Sequence, residues 1–307
     1  DHEAGLEVGR EGLCSQESAI LVYLCGFSGI LISESELPLE FLYPNLSRSK
    51  SIRARINASE EFAKSGALNP SILFSNYKIK QPSTSGGVWA RAKLIQELDM
   101  KFNDPQSEEL ALLRNLSLVV TEFTENHLLT QFAETYGKRF QELKPNQDSP
   151  EYNNLVLALV LLSGEGLNYR REEGTNNSKI NTAIYLATEN IGWKGDKKVD
   201  EIYLQNLNFI EADQTSLLDR AVLEASFGKF PVGRTSTDEI LLALSEHRIG
   251  FVLLKALALI ASGENSDLLD LQTGLASLVR LGLLEEFKTI ATEILIMDYF
   301  SHSRDSY

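Results

Sequence analysis

Apolar residues recur at three- and four-residue steps along most of this chain, from about Ser15 to Phe300, with polar stretches between the runs. That period belongs to a helix that turns one face toward a core. The run from Glu108 to Glu125 carries it plainly, with Leu110, Leu113, Leu116, Val120 and Phe123 forming a stripe. Helix ends are marked as well. Asp104-Pro105 and Ser149-Pro150 each place a capping side chain before a proline, whose missing N–H is harmless at the first helical position. Ser236 followed by Glu239 has the spacing of a capping box ahead of Ile240, Leu241 and Leu244. Gly282 separates helices predicted near 267–281 and 283–300, and a glycine there suits a left-handed helix end.

Strand signals are poor by comparison. Tyr77 to Lys80 alternates for four residues and then meets Pro82 and a Ser/Gly-rich loop, and no Asn-Gly or Asp-Gly hairpin turn occurs. The expected fold is therefore all-α, with more than about two thirds of residues helical against a base rate near one third. Leu155–Glu165 (LVLALVLLSGE) and Leu254–Glu264 (LKALALIASGE) echo each other, which suits an extended, solenoid-like array of antiparallel helical hairpins. The polar stretch 164–178 is the expected connection between two helical lobes, 1–163 and 179–307. The expected core comprises Leu110, Leu113, Leu116, Val120, Leu155, Leu159, Leu244, Leu254, Leu257, Leu275, Leu278 and Ile294.

Composition narrows the function classes. The 307 residues are 43% hydrophobic and carry a formal net charge of −14, from 43 acidic and 29 basic side chains. A nucleic-acid protein needs a surplus of Lys and Arg, so that class is excluded as an expectation. The densest basic stretch, Arg48, Lys50, Arg53 and Arg55, has no aromatic residues among it and reads as a solvated helix face. The longest apolar run, Ala19 to Ile32, is about two thirds of the ~20 residues a membrane crossing requires, and reads as a buried helix. Cys14 and Cys25 are too few for a disulfide framework or zinc site, and read as buried thiols. The start at Asp1, without a basic leader, suggests a processed chain exported to the periplasm, with a cytoplasmic protein as the alternative.

Several segments resemble catalytic motifs in part. Gly228 to Thr235, GKFPVGRT, has the glycine spacing and final Thr of a phosphate-binding loop, but Arg234 stands where the lysine should be. The stretch before it, Leu217 to Phe227, reads as helix rather than strand, so no nucleotide site is expected. Gly26-Phe27-Ser28-Gly29 lacks the second glycine and the strand of a nucleophile elbow. His2, His127, His247 and His302 have no His or Cys neighbour at helical spacing, so no metal or cofactor is expected, and His127 and His247 read as polar-face residues.

Gln16-Glu17-Ser18-Ala19 resembles the opening of the catalytic signature of soluble lytic transglycosylases. That resemblance implies a glycan-cleaving enzyme with Glu17 as the general acid. It covers four residues; Ile20 follows where the family has an aromatic residue, and the downstream Gly-Leu-Met-Gln element is missing. Glu17 otherwise reads as a first-turn carboxylate favoured by the helix dipole.

Two functions follow. The first is a non-catalytic helical scaffold that binds a basic or neutral protein partner along one face, without membrane span or nucleic acid. Trp89, where a loop enters a helix, and Tyr169, Arg170 and Arg171 in the connecting stretch are its candidate contacts. The scaffold should expose an apolar patch, expected near Trp89 or 164–178. The second function is the glycan-cleaving enzyme with Glu17.

Overall fold

The computed structural model describes residues 42–47, 50–80, 86–104, 109–143, 149–164, 177–188, 216–261 and 267–303. Among them are twelve α-helices and no strand, and 81% of these residues are helical. A short 3-10 turn, Tyr43–Leu46, leads into α1 (Ile52–Lys64), α2 (Pro70–Tyr77), α3 (Val88–Asn103), α4 (Glu109–Glu125) and α5 (Leu129–Glu142). Then come α6 (Pro150–Leu162), α7 (Ser178–Thr188), α8 (Leu217–Ser226), α9 (Thr235–Ser245), α10 (Ile249–Ala261), α11 (Leu268–Arg280) and α12 (Leu284–Ser303). The alternation at Tyr77–Lys80 is the end of α2 and the turn after it.

Side-chain caps start several of these helices, because the first amides of a helix have no partner within it. Ser51, Asn69, Ser149 and Asp267 each accept a bond from an amide two or three residues on. Ser149-Pro150 therefore caps α6 as expected. Ser216 and Asp219 form a full capping box at α8. Ser236 does not form one: it lies inside α9, behind Arg234 as N-cap, and its hydroxyl donates to Asp270 Oδ1 at 2.7 Å. Asp104 closes α3, and Pro105 lies outside the described residues.

Three helix pairs are joined by the same three-residue turn, at 126–128, 246–248 and 281–283. In each, the middle residue has positive φ: His127 (54°), His247 (60°) and Gly282 (79°). The next amide reaches back to the final turn, as in Leu128 N to Phe123 O at 2.8 Å and Leu283 N to Leu278 O at 2.9 Å. His127 and His247 are thus helix-ending residues in backbone geometry that glycine normally takes, rather than members of a polar helix face.

The chain divides into two compact units, residues 1–135 and 136–307, with the boundary inside α5. In the first unit the 3-10 turn packs on α1, and α1, α2, α3 and α4 pack each on the next. Its centre holds the rings of Phe74, Tyr77, Phe123 and Phe132, with Phe74 and Phe123 stacked at 5.9 Å. In the second unit α11 is the hub, packed by α8, α9, α10 and α12, while α6 and α7 lie against α12. The α10–α11 contact is close because of Gly274. A Cβ there would stand 2.8 Å from Ile260 Cγ1 and 2.9 Å from the backbone oxygen of Ala256.

Half of the expected core is buried: Leu116, Val120, Leu155, Leu159, Leu275 and Leu278. Leu113, Leu244 and Ile294 are half-buried, and Leu110, Leu254 and Leu257 are exposed. The α4 error is one of phase. Each residue advances an α-helix by about 100°, so the three-residue steps back from Leu116 displace Leu113 by about 60° and Leu110 by about 120°. Leu112, Leu116, Val119 and Phe123 are the buried stripe instead. The α10 error has another origin, which bears on function.

Candidate functional site

Helix α10, IGFVLLKALALIA, is apolar on both sides. Val252 and Ala256 face inward and are fully buried, Val252 with Ile240 and Ala243 of α9. Leu254 is two residues from both, so about 200° of helical rotation carries it to the opposite side. There it is 72% exposed, with Leu257 at 43%. Gly250, Phe251, Ala258 and Ala261 share that exposed side, and no charged residue interrupts it. On α9, Leu241 and Leu242 are also exposed, Leu242 at 58%. A helix with apolar residues on every side is normally covered all round, yet Leu254 and Leu257 remain exposed.

Charged groups edge the face. Lys255 pairs with Glu239 across the two helices at 3.0 Å. Arg248 pairs with Glu246 at 3.3 Å and lies over the Phe251 ring, 4.7 Å from its centre. Arg234 pairs with Asp267, tying the start of α9 to the start of α11. Asp238 and Asp270 have no basic partner among the described residues. The bases beside α10, Lys255 and Arg248, are thus each matched by an acid, whereas the unmatched Asp238 is exposed one turn before Leu241 and Leu242 on α9.

The glycine-rich segment ahead of α9 serves as its support. The amides of Gly228 and Lys229 bond back to Ala225 and Glu224, closing α8. The carbonyls of the same two residues accept from Arg280 Nε at 2.8 Å and Gln272 Nε2 at 3.1 Å. Arg280 also lies over Phe230, 5.6 Å from the ring centre. Arg234 is held by Asp267, and the α8 before the segment is helix, as its sequence indicates.

The first unit contains the other notable constellation, a buried polar network joining four helices. Glu60 of α1 grips Arg91 of α3 in two parallel bonds, Nε to Oε1 at 2.8 Å and Nη2 to Oε2 at 2.7 Å. Tyr77 of α2 donates its hydroxyl to Glu60 Oε1 at 2.7 Å. Arg91 Nη1 reaches Glu122 of α4 at 3.0 Å and Asn126, in the turn after it, at 2.8 Å. Burial works against the Arg91 charge, but Glu60, then Tyr77 and Glu122, hold its pKa above the ordinary arginine range. Burial first, and then the charge and hydrogen bond of Glu60, push the Tyr77 phenol well above its ordinary 10.0, with Arg91 opposing. Carboxylate and guanidinium are committed to each other. The constellation is a lock between helices.

That lock has a pH signature. A pKa raised on folding means the folded state keeps its proton where the unfolded state, near pH 10, releases it. The stabilisation is complete below about pH 10 and is lost as pH rises through the folded value. The urea midpoint of the first unit is expected to fall between pH 8 and pH 11. Tyr77→Phe should start lower at pH 8 and fall less, and a parallel fall in both proteins would remove Tyr77 as the cause.

A comparison with protein-family models, curated proteins and solved structures finds no match for this chain, so no relative's chemistry bears on either feature. Of the residues that the sequence singles out, Trp89 is half-buried in the first turn of α3. Glu17, Tyr169, Arg170, Arg171, Cys14 and Cys25 lie outside the described residues, as do Ala19–Ile32 and most of 164–178. Exposed apolar residues lie on α9 and α10. Among the described residues no helix is long and apolar enough to cross a membrane. No group of three or more His, Cys, Asp or Glu among them could hold a metal ion.

Proposed function

We propose that this chain is a non-catalytic helical scaffold that binds a protein partner through the α9–α10 face. One observation carries the reading: α10 exposes Leu254 and Leu257 on a side where that helix bears no charged residue. Exposed single leucines are ordinary, whereas an apolar stripe running the length of a helix marks a surface that is covered in use. The rest of the second unit supports that surface. Gln272 and Arg280 of α11 fix the segment leading into α9, and the His247 turn fixes the α9–α10 pair.

The test is a photo-crosslinking side chain placed at Leu254, with the chain expressed in its cells of origin. One discrete protein adduct is expected from this position. None is expected from Thr289, an exposed position on α12. Identical adduct patterns from the two positions would refute the reading.

A further inference from the structure

We infer that the occupant of the α9–α10 face is a basic amphipathic helix of another protein. This inference rests on the scaffold reading and names the partner's chemistry. Gly250, Leu254, Leu257 and Ala261 are exposed at steps of four, three and four, the spacing of a seam between two packed helices. Small residues at both ends of that seam let a second helix axis approach closely, and the two leucines between them supply the knobs. At Gly250 even an added Cβ would meet nothing within 4 Å. A strand or an extended peptide would satisfy its backbone on a sheet edge, and none exists among the described residues.

Charge then selects among helical occupants. Lys255 and Arg248, the bases beside α10, are engaged by Glu239 and Glu246. Asp238, exposed on α9 one turn before Leu241 and Leu242, is left to attract an incoming cation. The chain as a whole carries −14. A second copy would bring the same unpaired Asp238 and another −14, so like charges oppose self-association through this face. An anionic lipid surface is opposed for the same reason. A helix with leucines on one side and lysines or arginines flanking them meets both requirements.

The probe is a fluorescein-labelled, 18-residue Leu/Lys amphipathic helix, titrated against the full chain and read by anisotropy. Its Leu/Glu counterpart is the control. The Leu/Lys helix is expected to bind at least tenfold more tightly than the Leu/Glu helix, and less tightly as salt is raised. Leu254→Gln with Leu257→Gln should weaken it at least tenfold without changing the net charge. Equal affinity of the two peptides, or an unchanged Leu/Lys affinity in the glutamine variant, overturns the inference.

Two further results would overturn it while leaving the scaffold reading testable. One is a dimer of the free chain that the glutamine variant abolishes in sedimentation. The other is binding to phosphatidylserine vesicles that the same variant abolishes. The scaffold reading itself fails on a different measurement, the crosslinking contrast between Leu254 and Thr289.

Discussion

Replacing Arg91 by Ala is expected to destabilise the first unit by about 3–5 kcal/mol, the loss typical of breaking a buried pair on one side. The side chains of Arg91 and Glu60 are only 8% and 5% exposed, so solvent cannot screen the carboxylate that remains. The Tyr77 hydroxyl would be left as the one buried donor to Glu60. Removing the network whole should behave differently. In the triple variant Glu60→Leu, Tyr77→Phe, Arg91→Met, most of the lost stability should return, because apolar replacements of buried ion pairs are often neutral. Urea unfolding followed by hydrogen exchange on α1 to α4 is the appropriate measurement, since two units need not unfold together. A loss below about 1 kcal/mol for Arg91→Ala would mean that the guanidinium and carboxylate find water instead of each other.

Gly274→Val is expected to cost the second unit about 3 kcal/mol, at the upper end for overpacking. The position is a helical glycine, so side-chain propensity alone favours the change slightly. Packing decides against it. The new Cβ would meet the Ala256 carbonyl oxygen at 2.9 Å, and a backbone atom of α10 cannot move aside as a flexible side chain can. Relief requires α10 and α11 to separate, which weakens the contact that holds α10 in the unit. Gly250→Ala is the contrasting case: it lies in a helix with open space around it, and should gain up to about 1 kcal/mol. Thermal unfolding of the two variants beside the parent chain separates these outcomes. Equal and small effects would mean that the two helices are less tightly joined than the geometry implies.

The sequence pattern carried the fold class because helix period and capping chemistry repeat within ten or fifteen residues. Ser149-Pro150 and Gly282 were readable in this way, since each acts on its own neighbours. Phase was harder to read. Leu110 and Leu113 belong to a plausible stripe, and only packing reveals that Leu112 and Val119 are the inward residues. The turns closed by His127 and His247 were invisible because histidine is not the residue expected at positive φ; Gly282 makes the same turn with its usual residue. Arg91 is 31 residues from both Glu60 and Glu122, so no local spacing could join them. The α10 surface failed to register for the opposite reason. Its leucines look like core in any hydrophobicity pattern, and their exposure is a property of what α9 and α11 leave uncovered.

Leu254 and Leu257, on the proposed reading, are apolar surface reserved for another molecule. Urea unfolding of the Leu254→Gln, Leu257→Gln chain tests it most directly. Gln and Leu have similar helix propensities, so an uncovered position should change stability by no more than about 0.5 kcal/mol. That result is expected, together with loss of the protein adduct from a photo-crosslinker placed beside them at Ala258. A destabilisation of about 2–5 kcal/mol would be the signature of leucines buried by the chain itself, and would contradict the account.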